Sequence, residues 1–189
     1  MKFYLAGQWV ERSETIPVLN PFDQQVIDTV PRATASDIEE ALAAATQGSD
    51  SMAALSAYDR FLILRKAADR LRKDKESLAT TLSAEEGKAL AEARSEIDRS
   101  AQTLELSGEE AKRLEGEVLP LDAGEGVQGK LGFTLRVPCG VVVAISPFNF
   151  PLNLVCHKIG PAIAGGNATI LKPASDTPCL LYTSDAADD

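Results

Sequence analysis

Two short, unbroken apolar runs constrain the fold more than anything else in the chain. Val141-Val142-Val143-Ala144-Ile145 lies between Gly140 and Pro147, and Ala168 to Leu171 follows Gly165-Gly166-Asn167. Such runs are the composition of strands covered on both faces, as in parallel sheets. The segment between them is compatible with a helix that opens at Pro151, a residue favoured at the first helical position, and breaks at Gly160-Pro161. From Val141 to Lys172 the chain reads as strand, crossover helix and strand, with a span of about 30 residues that fits one βαβ unit. We expect the first right-handed βαβ of a parallel sheet in an α/β fold.

Upstream, the patterning is helical. Ser36-x-x-Glu39 has the form of a capping box, and Ile38, Ala41, Leu42 and Ala45 follow at helical spacing until Gly48 ends the segment. A second helix starts after Ser56 with Phe61, Leu64, Ala68 and Leu71 on one stripe; a third spans Lys75 to Glu86 and stops at Gly87. The longest runs from about Lys88 to Glu115, its seam of Leu90, Ala93, Ile97, Ala101, Leu104 and Ala111 interrupted by Gly108. Before these helices, Phe3 to Leu5, Trp9 to Val10 and Val26 to Val30 read as short strands, the last after a turn at Asn20 to Asp23. After them, glycines and Pro120 break the helical texture and Phe133 to Val137 reads as a strand. The last ten residues, Leu180 to Asp189, abandon the pattern where another helix is due, and read as a translated adapter or frameshift on a truncated chain.

Composition removes whole classes of function. The 189 residues carry 28 acidic and 19 basic side chains, a net charge of -9, with no basic run long enough to follow a phosphate backbone, so nucleic acid is a poor partner. Apolar residues make up 44%, enough for a packed core, and no run is long enough for a membrane span or a signal-peptide core. Three cysteines, Cys139, Cys156 and Cys179, lack CxxC spacing, and His157 is the single histidine. A reduced, cytoplasmic setting without a metal site fits these counts.

Ligands of open parallel sheets bind outside the C-terminal ends of strands, and both apolar strands end in unusual polar loops, Ser146 to Phe150 and Lys172 to Thr177. The two bends should be neighbours at a shared crevice. Here the residues resemble the NAD(P)-dependent aldehyde dehydrogenase superfamily. Its Pro-[Trp/Phe]-Asn-Phe-Pro loop stands as Pro147 to Pro151, its Gly-Pro-Ala-x-Ala-x-Gly-Asn helix end as Gly160 to Asn167, and its Lys-Pro-[Ala/Ser]-x-x-Thr-Pro loop as Lys172 to Pro178. Glu86-Gly-Lys88 with Glu92, and Gly116-Glu117, match as well. The resemblance covers about residues 1 to 178 and implies an N-terminal portion of that fold. Residues 1 to 117 would be the N-terminal strands and helices of the cofactor-binding domain, and 118 to 138 the oligomerisation arm and linker. Residues 139 to 178 would begin a Rossmann-like core, and 179 to 189 form a non-family tail.

The resemblance further implies oxidation of a small aldehyde by a cysteine thiolate, hydride transfer to NADP or NAD, and hydrolysis of the resulting thioester by water that a glutamate activates. Asn149 would donate its side-chain amide to the oxygen that gains charge during attack. Ile145, Ser146, Pro147 and Phe148 would line the cofactor groove, with Lys172 at the adenosine ribose hydroxyls and Ala174 and Ser175 beside it. Relatives that prefer NAD often carry glutamate at the Ser175 position, where a carboxylate repels the 2′-phosphate of NADP; serine removes that repulsion, so NADP should be accepted. A homo-oligomer is implied for the complete enzyme. The nucleophile and the glutamate base lie beyond this chain, which as given should not turn over substrate.

The remaining candidates have plainer readings. The three cysteines read as buried small hydrophobes, His157 as a crossover-helix residue without an orienting partner, and Glu105, Glu109, Glu110, Glu115 and Glu117 as a solvated face with a Glu109–Arg113 pair. Two other functions stay open from sequence: an acylating relative that releases the product to CoA, and an acidic helical interaction module over residues 34 to 118.

Overall fold

The computed structural model describes residues 1–182. Strand β1 (Phe3–Leu5) pairs antiparallel with β2 (Gln8–Val10) across a two-residue turn in which Ala6 and Gly7 both take positive φ, the geometry of a tight hairpin. A strand not expected from sequence, β3 (Thr15–Leu19), pairs antiparallel with β4 (Val26–Pro31). Pro17 hides it by breaking the strand pattern; in a two-stranded sheet its missing donor is tolerated. The turn between them falls where expected, closed by Asn20 Oδ1 and Asp23 Oδ1, which accept from the Phe22 and Gln25 amides at 2.9 and 3.0 Å.

Helix α1 (Ala35–Ala54) is capped at Thr34 and Asp37 rather than at Ser36 and Glu39, and runs through Gly48. Asp37 wins because it also receives the Arg12 guanidinium, which holds its carboxyl well below the usual range. The apolar residues of α1 are not its buried face: Ile38 is 57% exposed. Helix α2 (Ala57–Lys73) has the reciprocal Ser56–Asp59 box, and α3 (Lys75–Glu86) stops as expected at Gly87, with φ +77°. Gly87 is required twice over, since a Cβ there would also lie 2.8 Å from the Pro21 ring. Helix α4 (Leu90–Ala111) lies at the centre of the core.

Leu64 and Ala68 of α2, Leu78 and Leu82 of α3, and Ala93, Ile97, Ala101 and Leu104 of α4 form one buried cluster with Leu152, Cys156 and Ala164. The helices therefore share their core with the βαβ segment and are not a free-standing module. Past α4, β5 (Val118–Leu119) pairs with β6 (Gly132–Phe133). The expected Phe133–Val137 strand is this short because its partner is; Leu135 and Val137 are exposed.

Strands β7 (Val141–Ile145) and β8 (Ala168–Lys172) are parallel, joined by α5 (Asn153–Ala164), as the apolar runs predict. Two details differ. Helix α5 continues through Gly160-Pro161, because the carbonyl that loses its partner belongs to the exposed His157 and Gly160 is clamped against α4. The strands are not covered on both faces: Val143 and Ile145, on one face of β7, are 55% and 62% exposed. Asn167 ties the entry of the sheet together, its Oδ1 accepting from the Cys139 and Gly140 amides at 2.7 and 3.0 Å while its Nδ2 donates to the Ala162 carbonyl. Helix α6 (Cys179–Tyr182) buries Cys179 and Leu180, which the sequence places at the edge of the tail. The expectation for residues 183–189 falls outside the described residues.

A Cβ on Gly160 would meet Ser107 Oγ at 2.7 Å and its Cβ at 3.2 Å. Gly160→Val is expected to lower the urea midpoint, with a loss of about 1–3 kcal/mol from overpacking the α4–α5 crossing. An unchanged midpoint contradicts the close approach.

Candidate functional site

The register of the parallel pair decides what meets at its edge. Ile145 lies opposite Lys172, and the Ser146 amide donates to the Lys172 carbonyl at 3.1 Å, so the pairing extends one residue into the loops. The Ser146–Pro151 and Pro173–Pro178 segments thus leave the sheet side by side, and the two bends are neighbours. Ile145, Pro147, Phe148, Asn149, Lys172 and Ser175 are exposed there. Ser146 and Ala174 are buried beneath them and offer the edge little beyond their main chain. Lys172 Nζ curls back to donate to the Pro173 carbonyl at 3.0 Å. Exposed Val143, Ile145 and Phe148 add apolar surface next to these polar groups.

Both loops are fastened from behind by buried carboxylates. Glu96 of α4 accepts from the Leu152 and Asn153 amides through Oε1, at 3.1 and 3.2 Å, and from Lys88 Nζ through Oε2 at 2.5 Å. Lys88 also contacts Glu86 at 3.0 Å, donates to the Asn149 carbonyl at 3.2 Å and lies 4.2 Å from the centre of the Phe150 ring. Glu85 of α3 accepts from the Cys179 and Leu180 amides at 2.7 and 3.0 Å, closing the second loop. The amides at both helix starts that follow the strands are therefore taken by the protein's own carboxyl groups.

The sequence reading passes over Glu85 and Glu96, and Glu92, which the resemblance marks, is exposed. The available signal was an acid at a core position: Glu85 continues the Leu78, Leu82 stripe, and Glu96 falls within Ala93, Ile97 and Ala101. Burial pushes the Glu86 carboxyl up, with Lys88 opposing the shift.

None of the three thiols stands at the bends. Cys156 and Cys179 are buried as expected, and burial pushes both thiols up to about 12. Cys139 is exposed instead, because it lies in the link before β7; it donates through Sγ to Asn167 Oδ1 at 3.1 Å. Asn149 lies past the other end of that strand, whose five residues span on the order of 16 Å. His157 is exposed on α5 over a shallow groove with Leu106, Ser107, Glu110 and Leu114. Glu105 takes Arg72 through both oxygens at 2.6 Å, and Arg113 reaches Glu110 at 2.7 Å and Glu109 at 3.9 Å. Among the described residues no His, Cys, Asp and Glu side chains group so as to hold a metal, and no helix is long and apolar enough to cross a membrane.

The aldehyde dehydrogenase family profile matches residues 9–184, almost the whole chain. The chain belongs to the aldehyde dehydrogenase family. A 3-sulfolactaldehyde dehydrogenase from Priestia aryabhattai is 43% identical over 187 residues, 98% of this chain and 39% of the relative. The crystal structure of aldehyde dehydrogenase 21 from Physcomitrella patens, in complex with the reaction product succinate, superposes with a TM-score of 0.91 at 40% identity, covering 95% of this chain and 38% of that one. A glyceraldehyde-3-phosphate dehydrogenase from Methanocaldococcus jannaschii, complexed with NADP, gives 0.84 at 36% identity, over 92% and 36%. The chain thus spans about two fifths of the aldehyde dehydrogenases it matches. Family membership bears out the resemblance carried by the three loop motifs and favours an enzyme over the interaction-module reading.

Burial holds the Glu85 carboxyl at about 7, above its ordinary 4.5, against two amide donors that favour the charged form. The folded state therefore binds this proton more tightly than the unfolded chain. Its contribution to stability is complete below the ordinary value and is lost as pH rises through about 7. The melting temperature should fall between about pH 5 and 8 more steeply in the wild type than in Glu85→Gln, which stays neutral. Parallel slopes contradict this assignment.

Proposed function

We propose that the chain is the N-terminal portion of an NAD(P)-dependent enzyme that oxidises a small aldehyde to its carboxylic acid. The nucleophilic cysteine and the glutamate that activates water would come from residues outside this chain. The reading is carried by the adjacency of the Asn149 and Lys172 loops at one sheet edge, in a chain with the family's three motifs. The reaction would pass through a thiohemiacetal and a thioester on that cysteine, released by water.

The edge suits a dinucleotide: apolar surface at Val143, Ile145 and Phe148 stands next to the polar Lys172 and Ser175. When bound, the nicotinamide supplies a hydride acceptor. Ile145, Pro147 and Phe148 would line its groove, with Ser146 and Ala174 contributing main chain. Lys172 has an exposed ammonium to offer the ribose hydroxyls, and the exposed Ser175 hydroxyl can donate to a 2′-phosphate. Asn149 would donate its neutral amide to the aldehyde oxygen as charge develops, a donor that needs no reorganisation if its loop is held. Exposed Val118, Leu131, Phe133, Leu135 and Val137 support 118–138 as an oligomerisation arm. Three free thiols support a cytoplasmic site.

In the full-length enzyme, Asn149→Ala is expected to lower kcat by about 100-fold or more while NADP affinity stays within about threefold. Full activity in that variant removes the proposed oxyanion donor. Ser175→Glu should weaken NADP binding by at least about tenfold and leave NAD binding unharmed, read by calorimetric titration. Wild-type protein that binds NAD but not NADP contradicts the cofactor assignment.

A further inference from the structure

We infer that Lys88 is a positioning residue for the proposed oxyanion donor, acting through the main chain of Asn149. This rests on the reading of Asn149 given above and adds to it the group that holds the donor in place. The Lys88 side chain is 9% exposed, and its ammonium faces Glu86 Oε2, Glu96 Oε2 and the Asn149 carbonyl at 3.0, 2.5 and 3.2 Å. Glu96 turns its other oxygen to the Leu152 and Asn153 amides. One ion pair therefore grips the segment at Asn149 and again at Leu152–Asn153, on either side of Phe150 and Pro151. The Lys88 and Arg99 cations lie 4.2 and 5.5 Å from the centre of the Phe150 ring.

The anchor is stiff for two reasons. The Glu96 carboxylate is 1% exposed, so the pair attracts through little water and is costly to break. Its frame is set by α4 on one side and by the α3–α4 link on the other, where Ser83 Oγ donates to the Lys88 carbonyl at 2.7 Å. An exposed loop would otherwise let the Asn149 amide wander, and a displacement of about 1 Å at such a group can cost about 100-fold in rate.

The test is a double-mutant cycle in the full-length enzyme. Lys88→Met should lower kcat at least tenfold while the KM for NADP changes less than about threefold, since the Lys172 loop is held separately by Glu85. Removing the cation leaves Glu86 and Glu96 facing each other, so Lys88→Met/Glu96→Gln is measured as well. The neutral amide oxygen introduced by Glu96→Gln still accepts from Leu152 and Asn153, so stability should return while kcat stays low. On the Asn149→Ala background, Lys88→Met should change kcat less than about twofold. Equal losses on both backgrounds, or near-normal kcat in the stable double variant, overturn the inference while leaving Asn149 as the donor. An Asn149→Ala enzyme of full activity overturns the functional reading, and this one with it.

Discussion

The contact between Glu96 and Lys88 is the interaction that fastens the Asn149 loop to the helical core. An ion pair taken out of water contributes little net stability when intact, but removing one partner leaves a charge the core cannot solvate. That asymmetry makes it a good locating device, because the Lys88 ammonium and the Leu152 and Asn153 amides all meet Glu96 in this one arrangement of the loop. Glu96 sits on the same helix as Ala93, Ile97 and Ala101, so the apolar seam that packs α4 into the core also delivers the carboxylate to the loop. Core packing and loop position are thereby one structural event. Glu85 does the same for the second loop from α3.

The βαβ unit, the α2 and α3 boundaries and the seam of α4 were legible because each is written in local terms: an apolar run of strand length, a cap, a left-handed glycine, a helical period. Errors arose where a distant partner outweighed the local signal. Arg12 selects Asp37 over Glu39 as the capping acid of α1; the crossing with α4 carries α5 through Gly160-Pro161. Strand β3 was missed because its pairing with β4 tolerates a proline that local pattern counts against it.

The loops of the candidate site were legible through their motifs, and their adjacency through the rule that parallel strands end at one edge. The supporting carboxylates were not. An acid inside an amphipathic stripe looks like an interruption until the structure shows the two amides and the ammonium it receives, and those partners lie far along the chain from Glu96 and Glu85. Their placement also means that the amides at the helix starts after β7 and β8 already donate to carboxyl groups of the chain.

We propose that the bends at Asn149 and Lys172 form one dinucleotide crevice. Hydrogen exchange of the full-length protein, with and without NADP, reads both bends in one experiment. Slowed exchange in residues 146–151 and 172–178 together, with the α4–α5 groove around His157 unchanged, is the expected result. Protection confined to one bend, or found at the His157 groove instead, contradicts it.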